Sequence, residues 1–85
     1  MNKALEQIMT PVDTSWCTRT LKKGMQGEDV RILQSKLLYL GYDVGKAGPD
    51  GKFGNHTLSA VMLFQKDKGL TVDGLVGKKT VAALG

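Results

Sequence analysis

The stretch DGKFGNHT at residues 50–57 decides the fold of this chain, because it returns as DGLVGKKT at residues 73–80. Both copies follow the pattern D-G-x-apolar-G-x-x-T, and an alanine, Ala60 or Ala83, follows three residues later, where its small side chain is expected to let the helix pack closely. Asp-Gly is a turn pair, since glycine adopts positive φ at little cost and the aspartate carboxylate accepts backbone N–H bonds. The apolar residue predicts a plug into the core, and the next glycine predicts the start of a helix. The pattern therefore indicates a structured turn that feeds a helix, built twice.

Helical periodicity predicts three helices around these turns. The first opens at Glu28 and Asp29, because acidic side chains suit the positive end of a helix dipole, and it stops at Gly41. The second is predicted over about residues 55–68 and the third over about 78–84. The expected inward positions are Val30, Leu33, Leu37 and Leu40, then Thr57, Ala60, Val61 and Phe64, then Val81 and Leu84. The fold class is therefore all-α: a small three-helix bundle built from a duplicated turn–helix unit, with an N-terminal helical or extended arm.

A glutamine repeats along with the turns. Gln34 lies after an apolar residue and shortly before Gly41, and Gln65 has the same setting before Gly69. A glutamine at the edge of a core can hydrogen-bond neighbouring loop backbone through both ends of its amide. We predict this role for both side chains.

The first twenty residues lack the repeated pattern. Residues 2–9 place Ala4, Leu5, Ile8 and Met9 on one face at helical spacing, and Pro11 ends that pattern. Residues 10–20 are predicted to be a linker or extended arm, and Trp16 is predicted to pin this arm to the domain. The side chains that lie off the first helix's stripe predict a second contact, with the N-terminal helix; they are Ile32, Leu38 and Tyr39. The domain assignment is residues 1–20 as an arm or linker with a short helix, and residues 21–85 as the compact domain.

Composition excludes several classes of protein. No apolar run among the 85 residues approaches the roughly 20 needed for a membrane span, and residues 1–9 contain charges but no signal-peptide core. A single cysteine and a single histidine exclude an internal disulfide and a conventional zinc site. The net charge of +4 favours anionic surfaces without choosing among them. The lysines are scattered and no helix has a face suited to a DNA groove, so nucleic acid is not an expected partner.

The residues that commonly carry catalysis are poorly placed for it. Cys17 and His56 are the one cysteine–histidine pair, and no third group orients them. Asp50 and Asp73 resemble a glycosidase pair in number, but each precedes a glycine in a turn, where its carboxylate satisfies backbone donors and stays ionised. We therefore expect no enzyme activity, no catalytic residue, no metal and no cofactor.

Taken together, the motifs resemble one known family. They are L-x-x-G-x-x-G-x-x-V-x-x-L-Q from residue 21, D-G-x-F-G-x-x-T-x-x-A-V-x-x-F-Q from residue 50, and G-L-x-x-D-G-x-V-G-x-x-T-x-x-A-L from residue 69. This pattern is similar to the peptidoglycan-binding domain type 1 family over about residues 21–85. Many members have proline shortly after the DGxFG glycine, where this chain has Asn55 and His56.

The resemblance implies a small three-helix module that docks on bacterial peptidoglycan and is usually attached to a lytic enzyme such as an endolysin, amidase or muramidase. The implied partners are the glycan or stem peptide of peptidoglycan and a catalytic hydrolase domain. The implied place of action is the cell wall, reached from the cytoplasm by release or by export through other means. The alternative is a protein–protein interaction module that keeps the fold without binding sugar, with the N-terminal helix as its docking surface.

The expected binding surface lies in a shallow groove between the two turns and the helix starts. Tyr42 is the aromatic residue best placed to stack on a sugar or peptide, although a tyrosine after a helix-ending glycine also suits a lid over the core. Structural roles are also expected for the aspartates, glycines and threonines of the two turns and for Phe53. The threonines are expected to hydrogen-bond back to their turns. The candidate ligand-binding residues are Tyr42, Asp50, Gly51, Phe53, Gly54, Asn55, His56, Thr57, Asp73, Gly74, Gly77 and Thr80.

Overall fold

The computed structural model describes residues 14–85 and contains three helices, α1 (Glu28–Tyr39), α2 (Asn55–Asp67) and α3 (Lys78–Leu84). The three predicted helices are confirmed, and α2 ends one residue earlier than predicted. Within residues 14–85 there is no strand, and none of the helices is long and apolar enough to cross a membrane. The all-α prediction is therefore confirmed. The predicted helix over residues 2–9 lies outside the described residues.

Helices α1 and α2 end in the same way, at a glycine with positive φ. Gly41 has φ 99° and Gly69 has φ 71°. The N–H of Tyr42 donates to the carbonyl of Leu37, five residues back, and Leu70 donates to Gln65 in the same pattern. These are Schellman motifs, in which glycine reverses the chain and the last helical carbonyls find donors. Each reversal brings the chain round towards an Asp-Gly turn.

The core draws on every helix and both turns. Its buried apolar side chains are Leu21, Val30, Leu33, Leu37, Val44, Phe53, Ala60, Val61, Phe64, Val76, Val81 and Leu84. Phe53 and Val76 confirm the predicted turn plugs, since they are 2% and 0% exposed. The inner faces predicted for α2 and α3 are likewise confirmed.

Two predicted core contributions are wrong. Leu40 is 43% exposed, because it caps α1 at the point where Gly41 turns the chain away from the helix axis. Tyr42, which follows the turn, packs over the core instead of Leu40. Its ring lies edge-to-face on the Phe64 ring, with 5.7 Å between the ring centroids. Ala83 is exposed, because α3 presents to the core only the face that carries Thr80, Val81 and Leu84. The close helix packing inferred from the repeated alanine therefore holds for Ala60 alone.

The segment of residues 21–27 lies between the two turns and pairs with both. Leu21 forms an antiparallel bridge with Val76, with N–H to O distances of 3.2 and 2.9 Å in the two directions. Farther along, the N–H of Gly27 donates to the carbonyl of Gly51 at 3.0 Å. This short segment fixes the turns relative to each other by backbone hydrogen bonds, which do not depend on side-chain identity.

Residues 14–20 lie against the domain. Trp16 and Cys17 pack on the core, which confirms the predicted pinning role of Trp16. Arg19 forms a bidentate ion pair with Asp29, at 2.8 and 3.1 Å, and also donates to the carbonyl of Gln26. This pair lowers the pKa of Asp29, mainly through the side-chain hydrogen bond from Arg19. The arm is thereby tied to the N-terminus of α1.

The duplicated unit is held together by the two predicted glutamines, each 1% exposed. The Gln34 amide nitrogen donates to the carbonyl of Lys52 and the hydroxyl of Thr57, each at 2.9 Å, while its amide oxygen accepts from the N–H of Gly51 at 2.8 Å. One side chain on α1 therefore connects the first turn to the start of α2.

Gln65 repeats this arrangement from α2. Its amide nitrogen donates to the carbonyl of Leu75 at 2.9 Å and to the hydroxyl of Thr80 at 3.2 Å, and its amide oxygen accepts from the N–H of Gly74 at 3.0 Å. The predicted two-ended role of the glutamines is confirmed. The threonine prediction needs correction, because each hydroxyl reaches its turn through the glutamine amide rather than directly.

We expect the substitution Gln34→Leu to lower the free energy of unfolding by about 2–4 kcal/mol, because it leaves the Gly51 N–H and the Thr57 hydroxyl buried without a partner. Gln65→Leu should have a similar effect. Urea denaturation followed by circular dichroism measures both. The matched control is Gln26→Leu at an exposed position, where we expect a change within about 0.5 kcal/mol. Equal losses at positions 26 and 34 would contradict the role assigned to the buried amides.

Candidate functional site

The first Asp-Gly turn is built around one carboxylate oxygen. Asp50 Oδ1 accepts the N–H of Lys52 at 2.9 Å and the Gln34 amide at 3.1 Å. Gly51 has φ 80°, and a Cβ at this position would lie 3.2 Å from the carbonyl oxygen of Gly27. Both the backbone angle and the close approach require glycine here. The turn leaves Asp50 exposed at its corner.

The second turn has the same hydrogen bonds, and its glycine lies closer to a neighbouring side chain. Asp73 Oδ1 accepts the N–H of Leu75 at 2.9 Å and the Gln65 amide at 3.0 Å. Gly74 has φ 73°, and an added Cβ would lie 2.6 Å from Leu58 Cδ1. The two turns are thus equivalent in backbone and in hydrogen bonding, although their neighbours differ.

These hydrogen bonds keep both turn aspartates ionised. The backbone N–H of Lys52, followed by the Gln34 amide, lowers the pKa of Asp50. The backbone N–H of Leu75 and the Gln65 amide lower the pKa of Asp73. A carboxyl group with a lowered pKa is unsuited to act as a general acid near neutral pH. The prediction that the aspartates stabilise their turns is confirmed.

The glycines that begin α2 and α3 differ from those in the turns. Gly54 has φ −107° and Gly77 has φ −97°, values that any residue adopts, and an added Cβ would meet no heavy atom within 4 Å at either position. Neither helix has a side-chain hydrogen bond from its N-cap residue. The turn therefore does not require glycine at these two positions, contrary to our expectation. Their effect is to keep the backbone beside each helix start free of side-chain atoms.

A depression of about 160 Å³ lies beside the first turn. It is bordered by Asp50, Asn55 and His56 and by Lys46 from the loop before the turn. The His56 imidazole packs over Gly45, since a Cβ at Gly45 would lie 3.0 Å from three His56 atoms. Lysine, amide, imidazole and carboxylate groups therefore meet at one surface.

The second turn has its own depression, of about 330 Å³. It is bordered by Asp73, Lys78 and Lys79, with Thr20 and Thr71 at its edges. No residue borders both depressions. The expected single groove between the turns is absent from residues 14–85: these depressions are separate, and residues 21–27 lie between the turns and pair with both.

The structure divides the predicted site residues by burial. Five of the twelve have buried side chains or backbone and support the site from beneath: Gly51, Phe53, Thr57, Gly74 and Thr80. The remaining seven are exposed or half-buried and lie at the surface: Tyr42, Asp50, Gly54, Asn55, His56, Asp73 and Gly77. Tyr42 is turned towards the core, where its hydroxyl donates to Asp67 at 2.7 Å, so it lies as a lid over Phe64.

The candidates for catalysis lie in different places. Cys17 borders a depression formed with Val81 and Ala82 of α3, whereas His56 borders the first turn. Burial raises the pKa of the Cys17 thiol, which keeps it protonated and weakly nucleophilic. Within residues 14–85 there is no group of three or more His, Cys, Asp or Glu side chains able to hold a metal ion.

Lysine side chains border both depressions, which the sequence pattern did not predict. Lys46 and Lys52 lie beside the first, and Lys78 and Lys79 lie beside the second. Each of these lysines lies within a few residues of an Asp-Gly pair in the sequence. The sequence alone does not show which of the charges meet at one surface.

A comparison with protein families matches residues 26–84 to the family described as "Putative peptidoglycan binding domain". This match includes both turns and all three helices. The chain belongs to the peptidoglycan-binding domain family. The resemblance inferred from the DGxxGxxT motifs is therefore confirmed.

Relatives of this peptidoglycan-binding domain include cell-wall hydrolases. The N-acetylmuramoyl-L-alanine amidase CwlL of Bacillus licheniformis is 44% identical over 64 residues, which are 75% of this chain and 18% of the amidase. A spore cortex-lytic enzyme of Bacillus cereus is 46% identical over 66 residues, or 78% of this chain and 25% of the enzyme. The crystal structure of the SleB N-terminal domain superposes with a TM-score of 0.74 at 46% identity, and the match covers 80% of this chain and 90% of that one. The chain therefore spans a quarter or less of these two enzymes.

The lowered pKa values of the turn aspartates predict acid sensitivity. As the pH falls below about 4, the unfolded chain takes up protons before the folded chain does, so the carboxylates' stabilising contribution is lost progressively towards their folded pKa values. We expect the urea midpoint to fall between pH 5 and about pH 2.5. The double variant Asp50→Asn, Asp73→Asn keeps a side-chain acceptor and should show a shallower fall. An unchanged slope in this variant would contradict the assignment.

Substitutions at the Asp-Gly turn glycines and at the helix-start glycines are predicted to have different effects on stability. Gly74→Ala should lower the free energy of unfolding by about 1–2 kcal/mol or more, because a positive φ is strained with a side chain and the new Cβ meets Leu58. Gly54→Ser and Gly77→Ser should leave stability unchanged or raise it by a few tenths of a kcal/mol, because serine is a favourable N-cap. Thermal denaturation measures all three. Destabilisation of the serine variants by more than about 1 kcal/mol would show that the fold does need these glycines.

Proposed function

We propose that this domain binds bacterial peptidoglycan without catalysis and targets an attached lytic enzyme to the cell wall. The observation that carries the proposal is membership of the peptidoglycan-binding domain family over residues 26–84, a range that contains both turn–helix units. The two exposed depressions are the proposed contact surfaces. Because they are equivalent in backbone, they suit a polymer in which similar groups recur along the chain.

The chemistry of the depressions supports recognition of polar groups. Lys46 at the first turn and Lys78 and Lys79 at the second supply cations for carboxylates or carbonyl groups, which the stem peptides of peptidoglycan contain. The ionised Asp50 and Asp73 accept hydrogen bonds from hydroxyl or amine groups. Open backbone at Gly54 and Gly77 permits close approach of a ligand. Such shallow polar contacts support weak binding at each site.

The role of targeting follows from the relatives. The chain matches 18% of an amidase and 25% of a cortex-lytic enzyme, so its region of those proteins is a small part joined to a larger remainder. A weak binding module raises the effective concentration of what it is attached to, and two weak sites in one module add to this effect. We propose a hydrolase domain as the attached partner and the cell wall as the place of action.

The direct test is co-sedimentation of the purified chain with insoluble peptidoglycan sacculi. We expect pelleting that persists in moderate salt, because contacts at the turns do not depend only on long-range charge. Cellulose, as an insoluble polysaccharide without N-acetyl groups or peptides, should not pellet the chain. Pelleting that is abolished by salt would show that the net charge of +4 is responsible. Absence of pelleting would overturn the proposal in favour of a protein–protein interaction module.

Two double variants test whether the depressions are the surfaces that bind peptidoglycan. Asn55→Ala with His56→Ala removes exposed side chains at the first depression, and Lys78→Ala with Lys79→Ala does the same at the second. We expect each pair to weaken pelleting about 3–10-fold while leaving the thermal midpoint within a few degrees. The control is Lys66→Ala on the same helix as Asn55, about 16 Å along the axis from it. Equal weakening by the control would indicate a diffuse charge effect.

A further inference from the structure

A cleft of about 410 Å³ lies between the N-terminal arm and α3. One wall is residues 17–20 of the arm, and the other consists of Gly77 together with Lys78, Val81 and Ala82 of α3. The arm wall precedes the range that matches the family, so the repeated turn motif alone does not build this cleft. The cleft is therefore a feature that the arm adds to the domain.

The cleft continues into the depression at the second turn. Thr20, Gly77 and Lys78 border both of them, so the two concavities meet along the start of α3. Together they form one joined groove that extends from the Asp73 turn to the arm. The depression at the first turn shares no bordering residue with the cleft. The arm therefore extends the surface at the second turn only.

The arm wall of the joined groove is held in place from several sides. Cys17 packs on the core, and its thiol donates to the carbonyl of Arg19 at 3.1 Å. The Arg19 side chain is fixed in turn by its bidentate ion pair with Asp29. Directly after the wall, Leu21 pairs with Val76 through two backbone hydrogen bonds. The wall is therefore preformed, and a ligand does not have to order it on binding.

The joined groove has an excess of positive charge. No ion pair within the described part of the chain includes Lys78 or Lys79. Arg19 also borders the cleft, but Asp29 already balances its charge. Among residues 14–85, the cleft has no carboxylate on its border, and the depression at the second turn has only that of Asp73. Two lysines against one carboxylate favour an anionic group on the ligand.

The rest of the cleft combines an apolar floor with hydroxyl groups. The floor is formed by Cys17, Val81 and Ala82. Thr18 and Thr20 are exposed at the arm wall, and none of the hydrogen bonds among residues 14–85 engages their hydroxyls. Such a surface suits small methyl groups on the floor and amide groups at the rim.

The two components of peptidoglycan differ in the groups that this groove requires. A stem peptide contains free carboxylates, the methyl groups of alanine and backbone amides. A glycan strand has hydroxyl and acetamido groups, but the carboxyl group of its muramic acid is consumed in the amide bond to the peptide. The uncompensated charge of Lys78 and Lys79 therefore favours the peptide over the glycan.

We propose that the joined groove binds the stem peptide of peptidoglycan, an inference that rests on the proposed function and specifies which component is recognised. A peptide carboxylate pairs with Lys78, where the cleft and the depression meet. Alanine methyl groups lie against Val81 and Ala82, and the hydroxyls of Thr18 and Thr20 bond the peptide amides. The arm is thus part of the binding surface, in addition to the repeated turns.

The test is a nuclear magnetic resonance titration of the full chain with two soluble probes. The first is the pentapeptide N-acetyl-L-alanyl-γ-D-glutamyl-L-lysyl-D-alanyl-D-alanine, and the second is chitotetraose, a glycan without peptide. We expect the pentapeptide to shift the amide signals of residues 17–20 and 77–82. Chitotetraose should leave these signals in place. Amidation of both peptide carboxylates should weaken binding about threefold or more, because it removes the charges that Lys78 and Lys79 attract.

Neighbouring alanines on α3 give a matched pair of variants. Ala82→Glu places bulk and negative charge on the cleft wall and should weaken pentapeptide binding about tenfold, because like charges repel. Ala83→Glu makes the same change at an exposed position that borders neither the cleft nor the depressions at the turns, and should stay within about twofold. The thermal midpoints of the two variants should agree within a few degrees. Thr18→Val tests the arm outside any helix and should weaken binding about threefold.

Co-sedimentation with sacculi, run in parallel, separates the two levels of the account. Sacculi that pellet the chain and its Ala82→Glu variant equally, with no pentapeptide shifts in the cleft, would overturn this inference and leave the proposed function intact. Shifts of the same signals by chitotetraose but not by the pentapeptide would also overturn it, since the groove would then bind glycan. A chain that does not pellet with sacculi at all would overturn the proposed function on which the inference rests.

Discussion

The buried glutamine amide is the interaction on which this small domain depends. Each copy joins three successive pieces of chain: a helix, the Asp-Gly turn that follows it and the first turn of the next helix. The Gln34 nitrogen has two N–H groups and three acceptors within 3.1 Å, so its donors are fully engaged, and its oxygen takes the Gly51 N–H. Because the amide is 1% exposed, water cannot replace any of these partners.

This arrangement separates the residues that support the backbone from the surface that we propose contacts peptidoglycan. Glutamine, glycine, threonine and the turn plug lie inside and fix the backbone, while Asn55, His56, Lys78 and Lys79 are exposed at the edges of the depressions. The first copy presents Asn55 and His56 where the second presents Lys78 and Lys79, on the same backbone. A repeated scaffold can therefore change the chemistry of one depression without disturbing the other. This is a physical reason why such a module suits attachment to different enzymes.

Much of the fold could be predicted because the sequence repeats its local signals. The Asp-Gly pairs, the helix-ending glycines and the apolar spacing each have a direct conformational cause, and the helix starts at Glu28, Asn55 and Lys78 follow from them. The two-ended role of the glutamines was also predictable, since a polar side chain inside an apolar pattern needs partners. The threonine hydroxyls were assigned the wrong partner, because sequence proximity pointed to the turn rather than to the glutamine of the preceding helix.

The candidate site was less accessible to prediction, because its outline depends on how distant segments meet. Residues 21–27 lie between the turns, where a single groove was expected, and the repeat itself contains no sign of this. Nor did the pattern distinguish a glycine required by positive φ, such as Gly51, from one in an ordinary conformation, such as Gly54. Exposure of Leu40 likewise arose from the geometry of the α1 cap, where periodicity alone continued the stripe.

The most direct test of the glutamine account is native-state hydrogen exchange at the amides of Gly51 and Gly74, the two backbone donors that the glutamine oxygens accept. If these bonds hold the turns as firmly as the core, both amides should exchange only through global unfolding, with the same opening free energy as the slowest amides of α1 and α2. Exchange at the rate of exposed loop amides, while the helices remain protected, would show that the turns open on their own and would contradict the account.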